Sequence, residues 1–330
     1  MNKANELQVP VVCALIPAYN AGKFLEKAVE SLLEQTRKLD RIIVIDDAST
    51  DSSTQTIRKW IDEGLVELIS NPTNLGRAKS LNRAFEEVEA DYFVLLDADD
   101  ISLPNRVELQ LAFMEANPAV GCSSSFIEYI SSTGNVLGVG KLDIVNQEVF
   151  EHYFKIAEHF ALFCPAAILR AEVVKREDLR FRGEFWPADD IDLWNRIGEA
   201  GWSVLAQPEI LVQYRIHGSS AVTSSFVRTR MQYEWLRHCL RARRSGKPEP
   251  TRDEFLAIWN SAPLLVRCNR FRKIQSKGFY RAAGFSFAER RRVKAIGQMM
   301  ISLSMAPSYA ASRIFQQFRG RTAKSQPTNR

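Results

Sequence analysis

The chain has no uninterrupted apolar run approaching the about 18 residues that a membrane-crossing helix needs, so no transmembrane segment is expected. Residues 1–8 are polar, and the apolar run over 9–16 leads straight into a polar turn, so no signal peptide is expected either. Cysteine is sparse. Cys13, Cys122, Cys164, Cys239 and Cys268 are far apart, odd in number and never form a C-x-x-C pair, which predicts reduced thiols in a reducing compartment rather than a disulfide framework. Only four histidines occur, and three of them (His152, His159, His238) sit in no motif. The turn after the first apolar run lacks G-x-G-x-x-G, and G-x-x-x-x-G-K-[ST] occurs nowhere, so the dinucleotide fold and the P-loop lose their main signals. Any diphosphate bound here would be held by a metal and side chains, not by a glycine-rich backbone cradle. There is no internal repeat.

Apolar residues make up 45% of the 330, enough for a large core, and the length suits two domains or one α/β domain with an appendage. The net charge of +5 conceals an asymmetry: residues 1–225 hold 21 Lys/Arg against 34 Asp/Glu, whereas residues 226–330 hold 23 against 5. An acidic front and a basic rear suggest two modules with different partners. Nucleic acid is not expected, because no recognised binding module accompanies the basic charge.

Strand and helix signals alternate through the first half. Apolar runs at 11–16, 41–45, 66–69 and 92–96 read as buried strands, and helical spacing follows at 23–36, after 51 to about 61, and at 77–88. This alternation predicts a doubly wound, mostly parallel sheet. Two strands end in carboxylates: Asp46-Asp47 after the second, and Asp97-Ala98-Asp99-Asp100 after the run Tyr92-Phe93-Val94-Leu95-Leu96. Ligands bind at the carboxyl ends of strands in open α/β sheets. Carboxylates two apart in a turn can converge on Mg²⁺ or Mn²⁺, which takes one or two carboxylates plus substrate phosphates. Helix and turn capping is the other use of such residues, most evenly balanced at Asp46.

Five segments in this order, Ile16-Pro17-Ala18-Tyr19-Asn20, Ser31-Leu32-Leu33-Glu34-Gln35-Thr36, Val44-Ile45-Asp46-Asp47-Ala48-Ser49-Thr50-Asp51, Asn74-Leu75-Gly76 and Leu96-Asp97-Ala98-Asp99-Asp100, closely resemble the GT-A glycosyltransferases of family 2. The resemblance is tight over residues 11–115, looser to about 222, and absent beyond. It implies a GT-A-type fold, a Rossmann-like nucleotide-binding half (about 9–115) and an acceptor half (about 116–225), and an inverting sugar transfer from a nucleotide diphosphate donor, a UDP-sugar first. It implies that Pro17, Tyr19 and Asp47 line the nucleoside pocket, that Arg77 or Lys79 adds a contact, that Asp97 approaches the ribose and metal, and that Asp99 ligates Mn²⁺ or Mg²⁺.

Trp186-Pro187-Ala188-Asp189-Asp190-Ile191-Asp192-Leu193-Trp194 resembles the family's Glu-Asp pair followed by x-Asp-Leu-Trp, with Asp189 where the Glu usually stands. Asp190 then matches the general base that an attacking hydroxyl requires, although three acids in a first helical turn also suit the helix dipole. Gln213-Tyr214-Arg215-Ile216-His217 resembles the family's Tyr-Arg-x-His segment and implies that His217 touches the diphosphate or metal. Between these, 105–117 reads as a helix, 120–130 as strand, 141–160 as mixed, and 163–170 as a strand on the acceptor side. Cys164 there reads as a small hydrophobe, not a nucleophile, since no His is placed to activate it.

Residues 226–330 read as a basic, mainly helical extension with a disordered end, either packed on the transferase or lying on an anionic membrane surface. The expectation is a cytoplasmic enzyme, peripheral at the inner face of the cytoplasmic membrane, that extends a glycan or lipid-linked glycan of a bacterial surface polysaccharide. The competitors are a sugar-phosphate nucleotidyltransferase, which would need a glycine-rich loop where Pro17-Ala18-Tyr19-Asn20 stands, and a non-catalytic relative that binds a nucleotide or partner.

Overall fold

The computed structural model describes residues 9–156, 159–176, 179–217, 226–288, 290–309 and 312. Contacts divide the chain into two compact units, Met1–Ile216 with Cys239–Pro248, and His217–His238 with Glu249–Arg330. The division thus falls after Ile216, and the first unit takes back a short basic segment from the extension.

The first unit contains strands β1 (Val12–Ala18), β2 (Arg41–Asp46), β3 (Glu67–Ser70), β4 (Tyr92–Leu95), β5 (Ile101–Ser102), β6 (Val120–Ser131), β7 (Val136–Gly140), β8 (Ile168–Arg170) and β9 (Ser203–Ile216). Its helices are α1 (Phe24–Leu33), α2 (Arg58–Asp62), α3 (Arg77–Glu87), α4 (Arg106–Ala116), α5 (Gln147–Lys155), α6 (Ala171–Arg176) and α7 (Asp189–Glu199). Among the described residues the strands join in one sheet of order β3-β2-β1-β4-β8-β6-β9-β5, with β7 paired to β6.

The β3-β2-β1-β4 half is parallel throughout, in registers such as Ile16 opposite Val44 and Leu15 opposite Leu95. Helices cover such strands on both faces, and the strands accordingly read as continuous apolar runs: 12–16, 42–45 and 92–96 are all buried. Beyond β4 the sheet turns mixed. β8 runs antiparallel to both β4 and β6, while the long strands β6 and β9 pair in parallel, with register shifts near Phe126.

One segment differs from its sequence reading, and one that read as mixed takes a definite form. Over 163–170 a turn of 3₁₀ helix at Cys164–Ala166 precedes only three strand residues; Pro165 lacks the N–H that a ladder needs. The mixed stretch 141–160 contains α5, capped by the Asn146 side chain, which accepts from the Val149 N–H at 2.9 Å.

Over its described residues the second unit is helical. It holds the start of α8 (Phe226–Arg244), α9 (Arg252–Ser261), α10 (Leu264–Ala288) and α11 (Arg292–Met305). Thr251 and Glu254 close a capping box on α9, and the Trp235 indole donates to the Pro250 carbonyl at 2.9 Å. Among the described residues no helix is long and apolar enough to cross a membrane.

Candidate active site

The turns after β1 and β2 are built against each other. Asn20, in the left-handed region at φ 50°, which Asn tolerates better than most residues, accepts through Oδ1 from the Thr50 N–H at 2.8 Å. Asp46 accepts from the Ser49 N–H at 3.1 Å, so it serves as a turn cap, and Asp51 accepts from the Gly22 N–H at 3.0 Å. Pro17 is half-buried, and Tyr19 is 51% exposed at the rim.

Asp47 is buried and fully engaged. Its oxygens accept from Asn71 Nδ2, the Leu75 N–H and the Gly76 N–H, each at 2.8 Å. Its carboxylate therefore fixes the Asn74-Leu75-Gly76 loop beside the expected nucleoside pocket. Gly76 sits at φ +85°, a conformation that L side chains rarely adopt, at the point where the chain turns into α3.

That turn aims Arg77 into an acidic cluster. Its Nε lies 3.3 Å from Asp97 Oδ1, its Nη1 lies 3.7 Å from Asp189 Oδ2, and its Nη2 donates to Cys164 Sγ at 2.8 Å. The guanidinium also lies over the Phe181 ring, 5.6 Å from the centroid. Burial works against its charge, but the Cys164 sulfur and the carboxylates of Asp97, Asp189 and Asp190 raise its pKa well above the ordinary value. Lys79, two residues on, is exposed on another face of α3, so of the two candidates Arg77 is the one brought to the acids.

Burial first, then the charge of Asp189, pushes the Asp190 carboxyl up to about 7, with Arg77 pulling the other way. Burial likewise raises Asp189, which is 1% exposed and whose Oδ2 has no hydrogen-bond donor. Asp190 keeps part of its surface exposed at the start of α7. Cys164 is buried and its thiol is pushed up by that burial, which leaves it unsuited to nucleophilic work.

Asp97 and Asp99, both partly exposed, follow the carboxyl end of β4. Burial raises Asp97, opposed by Arg77 and assisted by the charge of Asp99. Among the described residues no three His, Cys, Asp or Glu side chains gather as a ligand set. Two crowded carboxylates still fit a hard divalent ion whose remaining ligands are phosphate oxygens and water. His217 is half-buried and directly follows β9.

Asp100 turns away from the pair. It accepts from the Arg215 N–H at 2.7 Å, while Arg215 Nε donates to the Asp99 carbonyl at 2.7 Å and Nη1 to the Ser131 carbonyl at 3.1 Å. Arg106 supports the same turn from behind. It is fully buried, donates to the Leu95 and Ala167 carbonyls at 2.8 and 3.1 Å, and burial lowers its pKa to about 9. Asp192, the third acid of the α7 start, faces the opposite way. It bonds Arg182 and Arg196 and lies 3.6 Å from Arg243, so it belongs to packing and not to the site. The Asn82 amide donates to the Phe181 carbonyl at 2.9 Å and accepts from its N–H at 2.8 Å, which joins α3 to the loop leading to α7. Arg106 and Asn82 had no sequence signal, because the groups they hold include backbone carbonyls and N–H groups, which any residue supplies.

Comparison with known proteins identifies the family. The family model described as Glycosyl transferase family 2 matches residues 13–174. An uncharacterised glycosyltransferase of Methanocaldococcus jannaschii is 30% identical over 215 residues, covering 64% of this chain and 72% of the relative. The chain belongs to glycosyl transferase family 2. The amylovoran biosynthesis glycosyltransferase AmsE of Erwinia amylovora is 27% identical to this family 2 chain over 207 residues, covering 61% and 74%. Two solved structures share the fold of this transferase at low identity. TarS of S. aureus, residues 1–349, in complex with UDP-GlcNAc matches with a TM-score of 0.59 at 16% identity over 92% of both chains. The mannosyltransferase PcManGT of Pyrobaculum calidifontis, in complex with GDP-Man and Mn²⁺, matches with a TM-score of 0.57 at 17% identity over 95% of this chain and 83% of that one.

Proposed function

We propose that this family 2 transferase moves a sugar, with inversion, from a nucleoside diphosphate donor to a hydroxyl of a glycan or lipid-linked glycan. The UDP-sugar is the first donor to test and the GDP-sugar the second. The acceptor class rests on the polysaccharide-assembly name of the Erwinia relative and fits work at the inner face of a bacterial cytoplasmic membrane.

The observation that carries the proposal is the convergence of Asp190, Asp189 and Asp97 on Arg77, with the Asp190 carboxyl held near 7. A base poised at the working pH is what an alcohol nucleophile needs. In the proposed displacement the acceptor oxygen bonds to the anomeric carbon as the bond to the diphosphate oxygen breaks, and the hydroxyl proton passes to an Asp190 oxygen. Arg77 supplies a fixed positive charge beside the departing diphosphate. Pro17, Tyr19 and the loop set by Asp47 receive the nucleoside. Asp97 and Asp99 are the residues that would hold Mn²⁺ or Mg²⁺, which offsets charge on a leaving diphosphate when bound.

The test is calorimetric titration of the folded chain with UDP, GDP and dTDP, each with Mn²⁺ and then with EDTA. Metal-dependent binding of one nucleotide is expected. Binding of none would remove the donor assignment and favour a non-catalytic relative.

A further inference from the structure

The hairpin of α10 and α11 exposes a face that its own packing does not use. The two helices meet through Ser276 and Ser302, whose hydroxyls donate to each other's carbonyls at 2.9 and 2.8 Å, and through Ser286, which donates to Gln298 at 2.7 Å. Ala295 and Ser302 are buried there. At about 100° per residue, Val293, Ile296 and Met300 fall on the opposite side of α11, 87%, 64% and 62% exposed. Exposed Gly297 and Ser304 complete that stripe without a charge. Phe287, at the end of α10 before the connection, is 62% exposed.

The charges around this stripe are of one sign. Arg292 and Lys294 stand about 100° to either side of Val293, and Arg290 and Arg291 precede them; all four are exposed. Residues 264–305 hold ten Lys/Arg against one Asp/Glu, and no acidic residue follows Glu289. So basic a face repels a second copy of itself. An apolar helical stripe edged by basic residues complements an anionic lipid surface, where long basic side chains reach headgroup phosphates while the stripe meets the acyl boundary. At about 21 Å, α11 can lie along such a surface but is too short to cross it.

We propose that the α11 face binds an anionic membrane, with Val293, Ile296, Met300 and Phe287 in the interface and Arg290, Arg292 and Lys294 on the headgroups. This names the surface that would bring the enzyme to a lipid-linked acceptor, and in that sense rests on the acceptor reading above.

The full chain would be co-sedimented with vesicles of phosphatidylcholine alone and with a third of phosphatidylglycerol, at low and high salt. Binding to the anionic vesicles that weakens with salt is expected. Ile296→Glu with Met300→Glu should reduce it by on the order of tenfold for each side chain. Arg292→Glu with Lys294→Glu should abolish the preference for anionic lipid. Circular dichroism would show the variants folded, and donor turnover with a water-soluble acceptor should match the parent chain.

No vesicle binding by the folded chain, equal binding by the Ile296/Met300 variant, or equal salt-independent binding to neutral vesicles would overturn the proposal. So would a dimer that the Ile296/Met300 pair abolishes, which assigns the face to a second copy. Transfer to a soluble acceptor without vesicle binding would sink this inference and leave the proposed reaction standing; vesicle binding without turnover would do the reverse.

Discussion

Asp190→Asn preserves the shape of the side chain and removes its capacity to take a proton, so it affects turnover and stability in different ways. Loss of a positioned general base lowers kcat by about 10²–10⁴-fold, while the donor, held by other residues, should bind as before. The stability effect follows from the carboxyl pKa, which burial moves from 3.8 to about 7. The folded chain keeps that proton to about pH 7, whereas the unfolded chain loses it near 3.8. In between, the folded state binds more protons, so the cost of Asp190 to stability grows with pH and levels off above 7. The full cost is about 4 kcal/mol. Asn, like the protonated acid, carries no charge, so above pH 7 the variant should gain stability of up to about 4 kcal/mol. For a unit of this size that raises Tm by roughly 10 °C at pH 8, and by less towards pH 4. Nucleotide-release kinetics at saturating acceptor, donor calorimetry and thermal melts at the two pH values read all three effects. Near-parental turnover would remove Asp190 as base. A Tm unchanged at pH 8 would refute the claim that its charge is held at a cost.

In the parent enzyme kcat/KM should rise about tenfold per pH unit below about 7 and then level off; a flat profile across that range would contradict a base with this pKa. Asp99→Ala should abolish metal-dependent nucleotide binding with an unchanged melting curve, and parental affinity measured by calorimetry would discard it as a ligand. Asp192→Ala removes the buried carboxylate that Arg182 and Arg196 bond and should destabilise the first unit by about 2–3 kcal/mol, read by urea denaturation at neutral pH. The hydrogen bonds and charges of its arginines outweigh burial and hold that carboxyl below its usual range, so its contribution is lost as pH falls below the ordinary carboxylate value.

The parallel half, β3-β2-β1-β4, was legible because its information is local. Most of its strands are short apolar runs, and two of them, β2 and β4, lead into carboxylates, so the positions of Asp47, Asp97 and Asp99 at strand ends follow from the residues alone. The other half is specified by partners distant in sequence. Nothing in Ile168–Arg170 says that it inserts antiparallel between β4 and β6. The 14 residues of β9 include Pro208 and alternate irregularly, which hid the longest strand. Within the acid runs the residue type gave no division of labour. Asp100 and Asp192 look like site residues in sequence, and only their arginine partners show that each turns inward to hold structure.

The paired hydrogen bonds between Asn82 and Phe181 have a kinetic consequence. They tie the helix that carries Arg77 to the loop that leads to Asp190, so moving one without the other costs both bonds. In the proposed reaction, a shift of α3 on donor docking would carry to the loop before Asp190, and such coupling would favour donor before acceptor. By reciprocity, whatever factor the bound donor adds to acceptor affinity the bound acceptor must return to the donor.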